Sequence, residues 1–151
     1  LVKERLELAR TLGATHVINP STTPDTVAEI KKITGQGVNF SFETTGAPKV
    51  LRQAVEALAP RGACGFVGAA PMGTEVSLDV MDIMTQGKKL RGIVEGDSIP
   101  EVFIPQLIEL HRQGRFPFDK LLTFYPFERI NDAINDSESG KVVKPVVRMP
   151  S

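Results

Sequence analysis

An α/β fold built on a parallel sheet is what this chain of 151 residues predicts, and three observations carry that prediction. Apolar stripes at helical spacing alternate along the chain with short β-prone runs. The run at residues 63–70, ACGFVGAA, is small and apolar throughout, as a strand covered on both faces would be. Glycine recurs where such runs end, at Gly46, Gly68 and Gly96. Alternation of this kind implies β–α–β crossovers, hence a doubly wound parallel sheet with helices on its faces.

The elements follow in order. Val2, Leu6 and Ala9 form one stripe, with Leu8 and Leu12 beside it, and Gly13 ends the helix as a residue able to turn left-handed. Residues 15–19 are a brief β-prone run that stops at Pro20. Asp25 is a candidate N-cap, and Val27, Ile30 and Ile33 make the next helical stripe. Residues 38–46, VNFSFETTG, alternate Val38, Phe40 and Phe42 with polar neighbours, which predicts a strand. Residues 47–59 predict a helix with Val50, Leu51, Ala54, Val55 and Leu58 on one face, stopped by Pro60, Arg61 and Gly62. The apolar strand at 63–70 follows, and another is expected at 90–94. Residues 102–111 predict a helix with Phe103, Leu107 and Leu110 together, where Pro105 sits in the first turn or kinks it. Strands at 121–124 and 142–147 flank a helix carrying Phe127, Ile130, Ala133 and Ile134. Gly, Asp, Ser and Pro gather near residues 95–100, so the expected division is 1–98 and 99–151.

Composition excludes several function classes. Lys plus Arg and Asp plus Glu both number 18, and a net charge of zero argues against a nucleic-acid footprint or a basic membrane surface. No apolar run approaches the roughly 20 residues of a spanning helix. The first residues lack the apolar segment of a signal peptide. The chain begins with Leu, not Met, so its start is not expected to be the native one. Cys64 is the single cysteine, which excludes an internal disulfide and makes a cytoplasmic home the default. One cysteine and the distant His16 and His111 give no metal site of their own.

Ligands of open parallel sheets bind at the carboxyl ends of the strands. Here those ends are Asn19-Pro20, then residues 43–46, 67–70 and 95–97. Any one glycine there could serve only its turn; recurrence at successive strand ends favours a nucleotide site. The phosphate-cradling G-x-G-x-x-G is absent, since Gly62, Gly65 and Gly68 do not match its spacing. Gly140-Lys141-Val142 lacks the hydroxyl of a P-loop. Glu43 stands at a strand end, where hydrogen bonds to backbone amides are a better reading than catalysis.

The runs RLELARTLGATHVINP, VNFSFETTGAP, GFVGAAP, RGIVEGDSIPEVFIPQLIELHRQGRFPFDKL and SGKVVKPVV resemble the carboxyl-terminal part of zinc-dependent medium-chain alcohol dehydrogenases. GIVEGDS and GRFPFDKL point to the aryl (benzyl) alcohol branch. The resemblance implies a Rossmann-like NAD-binding domain, truncated at its N-terminal side, followed by a segment that returns to a catalytic domain. Zinc and its Cys and His ligands would belong to the full-length enzyme, so no catalytic or metal-ligating residue is assigned here. In that family the first two strands of the sheet carry the glycine loop and the ribose-binding acid, and neither is in this chain.

Cofactor contacts carry over residue by residue. Arg5 matches a basic residue over the adenosine ribose, although a solvated helix charge is the plainer reading. Thr44, Thr45 and Gly46 match a turn near the adenosine half. Val67, Gly68 and Ala69 match a turn bordering the nicotinamide and its ribose. Ile93 and Glu95 match positions whose backbone meets the carboxamide, and a carboxylate is unusual at the second. Lys144 matches a cation at the pyrophosphate, where charge-assisted bonds are favoured. Small alcohols or aldehydes would be the substrates, and a homo-oligomer through the edge strand at 89–94 is expected. Alone, the chain is expected to bind NAD weakly and to turn nothing over. Two other readings stay open: a zinc-free NADPH quinone or enoyl reductase of the same superfamily, and a non-catalytic nucleotide-binding or oligomerisation module.

Overall fold

The computed structural model describes residues 2–150. They form two compact units, one spanning Pro20–Ser98 and the other joining the residues before Pro20 to those from Ile99 onward. Helix α1 (Lys3–Thr11) opens the second of these units.

The Pro20–Ser98 unit is a three-stranded parallel sheet with helices packed on it, the fold class that the alternation predicts. Helix α2 (Thr26–Thr34) starts at Asp25, whose carboxylate accepts the Ala28 N–H at 2.9 Å. Strand β1 (Val38–Glu43) leads to α3 (Pro48–Glu56), which has proline in its first turn where no amide is needed. Strand β2 (Leu58–Phe66) is followed by α4 (Val80–Gln86) and the edge strand β3 (Lys89–Gly92). The order is β1-β2-β3, with Phe42 beside Gly65 and Gly65 beside Arg91. Val55, Leu58 and Cys64 form the buried centre, packed by Val38, Leu51, Ala54, Leu78 and Ile83. Full burial of side chains such as Val55 and Leu58 contributes about 1.5–3 kcal/mol each. Lys88 closes this core: its ammonium is all but buried and donates to the Val55 carbonyl at 3.2 Å and to Asp82 at 2.7 Å.

In the other unit, α5 (Pro100–Arg112) contains Pro105, one turn beyond its start. Strands β4 (Leu122–Pro126) and β5 (Lys144–Arg148) pair in parallel, with α6 (Ile130–Glu138) between them in sequence. The buried Tyr125 hydroxyl donates to Asp136 at 2.7 Å, and Lys141 pairs with the same carboxylate at 3.0 Å. The Tyr125 bond and the Lys141 bond hold the Asp136 carboxyl below its ordinary range. That same bond to Asp136, with burial, pushes the Tyr125 phenol up. No helix among the described residues is long and apolar enough to cross a membrane.

The structure corrects several expected boundaries. Residues 15–19 join neither sheet, and β propensity forms a strand only where a ladder exists. The second strand starts at Leu58, not at 63, because Leu58 pairs with Val38 ahead of a register shift. Arg61 takes up that shift with a φ of 66°. Strand β2 ends at Phe66, so residues 67–70 are irregular and not the end of a strand. Strand β3 likewise stops at Gly92. Helix α4 was not anticipated by the apolar pattern, since Val80, Met81 and Met84 are exposed; its caps, Asp79 and a left-handed Gly87, were the available signal.

Candidate functional site

Backbone bonds tie together the carboxyl ends of β1, β2 and β3. The Val67 N–H donates to the Glu43 carbonyl at 2.9 Å, and the Ile93 N–H donates to the Phe66 carbonyl at 3.0 Å. Each strand then turns away through a glycine. Gly46 has φ 72°, a conformation that glycine adopts without a steric penalty. Gly68 meets it so closely that a Cβ on Gly68 would lie 2.0 Å from the Gly46 nitrogen and 2.6 Å from its Cα. A Cβ on Gly46 would in turn lie 3.0 Å from the Ala69 carbonyl. These two glycines are therefore required by contact between the turns, and the pair forms one backbone surface.

Glu43 lies beneath that surface at 2% exposure. Its carboxylate accepts the Thr45 N–H, the Thr45 hydroxyl and the Gly46 N–H, the last at 3.1 Å. Burial pushes the Glu43 carboxyl up, but the Thr45 hydroxyl and the two amides outweigh it and hold the group below the ordinary carboxylate range. The Thr45 hydroxyl also accepts the Ala47 N–H at 3.1 Å, which joins the turn to the start of α3. A cavity of about 120 Å³ opens here, lined by Glu43, Gly46, Leu51, Phe66, Gly68 and Thr74 among others.

The third strand end is a tight turn. Glu95, Gly96 and Asp97 all have positive φ, at 49°, 72° and 52°. The two non-glycine departures, at Glu95 and Asp97, cost of order 1–2 kcal/mol each. Arg91 pairs with Asp97 at 2.5 Å, and the Ser98 hydroxyl donates to the Glu95 carbonyl at 2.7 Å, so the turn is held from both sides. The Arg91–Asp97 pair was not read from the sequence; an Arg six residues before an Asp carries no periodic signal.

Of the residues singled out in the sequence, Thr44, Thr45, Gly46, Val67, Gly68 and Ala69 come together at the ends of β1 and β2. Ile93 and Glu95 follow the neighbouring β3 in the same unit. Arg5 and Lys144 belong to the other unit. There the Arg5 guanidinium donates to the Gly140 carbonyl at 3.2 Å and the Val142 carbonyl at 2.7 Å, while Lys144 opens β5 opposite Leu122 and is exposed. Among the described residues no group of three or more His, Cys, Asp or Glu side chains could hold a metal ion.

Parallel strands joined by helices, with glycine turns at their carboxyl ends, are the architecture of Rossmann-like cofactor-binding domains. A family model described as zinc-binding dehydrogenase matches residues 1–112, and the chain belongs to that family, the zinc-dependent medium-chain alcohol dehydrogenases. Geraniol dehydrogenase from Castellaniella defragrans is 41% identical over 143 residues, which is 95% of this chain and 38% of that protein. The crystal structure of benzyl alcohol dehydrogenase from Acinetobacter calcoaceticus superposes with a TM-score of 0.95 at 49% identity, covering 99% of this chain and 41% of that one. An alcohol dehydrogenase zinc-binding domain protein from Burkholderia ambifaria gives a TM-score of 0.94 at 53% identity, covering 99% of this chain and 40% of that one. The chain thus spans about two fifths of the length of these relatives.

Proposed function

We propose that this chain is the cofactor-binding, carboxyl-terminal part of an NAD-dependent zinc alcohol dehydrogenase that oxidises aryl and related primary alcohols to aldehydes. The contact between the Gly46 and Gly68 turns carries the reading, because it offers a flat ligand two backbone turns with no side chain between them. In this reading Thr44, Thr45 and Gly46 border the adenosine half, and Val67, Gly68 and Ala69 border the nicotinamide. The backbones of Ile93 and Glu95 meet its carboxamide. When bound, NAD supplies the hydride acceptor and zinc the Lewis acid, with the zinc ligands contributed by the rest of the enzyme. The alcohol class is supported by the benzyl alcohol and geraniol dehydrogenases among the relatives. A cytoplasmic homo-oligomer completes the proposal. It joins copies through β3, whose residues are all exposed.

A chimera tests this. The 151 residues replace the matching part of the Acinetobacter benzyl alcohol dehydrogenase, and NAD reduction is followed with benzyl alcohol and zinc. Turnover by the chimera, with none from the chain alone, is the expected result. A folded chimera that neither binds NAD nor oxidises benzyl alcohol refutes the function, and preference for NADP refutes the cofactor.

A further inference from the structure

Glu43 is the one buried charged side chain of the Pro20–Ser98 unit whose ionised state is balanced by no cation: none of the ion pairs among the described residues includes it. A buried carboxylate is costly unless hydrogen bonds replace its water. Here every replacement comes from the turn that follows it, through the Thr45 hydroxyl and the amides of Thr45 and Gly46. The Glu43 backbone carbonyl holds the other turn through the Val67 N–H. Its Oε2 lies 2.8 Å from the point a Gly68 Cβ would occupy. One residue therefore touches both turns at once.

We propose that Glu43 is a positioning residue for the cofactor surface: its carboxylate fixes the Thr45–Gly46 turn against Gly68 and directs the turn's amides inward, so that the surface receives an uncharged part of the dinucleotide and not a phosphate. This rests on the nucleotide reading above. The inward direction extends through the Thr45 hydroxyl to the Ala47 amide, so three successive N–H groups are already satisfied. A free strand-end turn offers such amides to anions. This one has used them, and it stands over an ionised carboxylate that would repel phosphate. Glu43 is the only titratable residue among those that line the cavity.

The experiment uses the full chain, with NADH as the probe and inorganic phosphate as the control anion. Amide hydrogen exchange and chemical-shift titration are read at Thr45, Gly46 and Gly68 in the wild type, Glu43→Gln, Thr45→Val and Thr45→Ser. In the wild type the Thr45 and Gly46 amides are protected, NADH shifts all three residues, and phosphate shifts none. Glu43→Gln is expected to lose that protection and to raise the NADH dissociation constant by about tenfold or more, the scale of a lost charged hydrogen bond. Thr45→Ser keeps the hydroxyl and behaves as the wild type; Thr45→Val loses part of the protection and serves where Glu43→Gln does not fold. A wild-type chain that NADH never shifts sinks the nucleotide reading, and the positioning role with it. A wild type that NADH does shift, with Glu43→Gln and Thr45→Val titrating alike, sinks the role of Glu43 alone. So does a phosphate-induced shift at these amides in the wild type.

Discussion

Gly68→Ala isolates the close approach of the two turns from every other role of glycine. Gly68 has no positive φ, so alanine can adopt its backbone, and the whole effect comes from one added methyl. That methyl would sit 2.0 Å from the Gly46 nitrogen, and ordinary contact begins at 3.4 Å, so the turns must part by about 1.4 Å. The atoms in the way are backbone and the buried Glu43 carboxylate, neither of which can swing aside as the tip of a long side chain would. Overpacking of this kind typically costs about 1–3 kcal/mol, and the upper end applies because the Glu43 bonds to Thr45 and Gly46 must loosen together. With a urea dependence of about 1–3 kcal/mol per molar, the midpoint should fall by roughly 1 M or more. Gly92→Ala is the control: its methyl would meet only the ring tip of Phe66, at 3.3 Å. Urea unfolding followed by circular dichroism compares the two. Equal midpoints for Gly68→Ala and Gly92→Ala would refute the reasoning.

Asp82→Ala should cost roughly 2 kcal/mol, since it strands the nearly buried Lys88 ammonium, whereas Asp82→Ala combined with Lys88→Met should recover most of that loss; thermal unfolding of the three proteins checks it. The Glu43 and Asp136 carboxyls are both held below their ordinary range, so each adds stability that is present above the unfolded pKa and lost as pH falls through the lower folded value. Denaturant midpoints measured from neutral pH into the acid range should therefore decline, with a shallower decline in Glu43→Gln and in Asp136→Asn. An acid limb unchanged by both substitutions would contradict the assigned bonds.

Helix α3 and strand β1 were legible because their signals are local: Val50, Leu51, Ala54 and Val55 repeat at helical spacing, and Phe40 and Phe42 at strand spacing. The Asp25 cap was legible for the same reason and accepts the Ala28 amide as expected. Residues 15–19 misled because strand propensity says nothing of whether a neighbour is present. Leu58 misled because its helical spacing after Ala54 continued one residue into the next strand's pairing with Val38. At the site, the glycines at the strand ends were visible, and so was Glu43 as an acceptor of amides. Their mutual contact was not: Gly46 and Gly68 stand 22 residues apart, and only the β1-β2 pairing brings them within van der Waals reach.

The two units differ in when synthesis can complete them. Residues 20–98 are contiguous, so β1, β2 and β3 can pair with one another once Ser98 has been made. The other unit joins the residues before Pro20 to those from Ile99 onward: Arg5 reaches the carbonyls of Gly140 and Val142, and β4 finds its mate only when β5 emerges. Closing so long a loop is entropically expensive and favours late formation. On the ribosome the interior unit can thus mature while α1 waits, and an arrested nascent chain released near residue 110 should contain a protease-resistant core starting after Pro20.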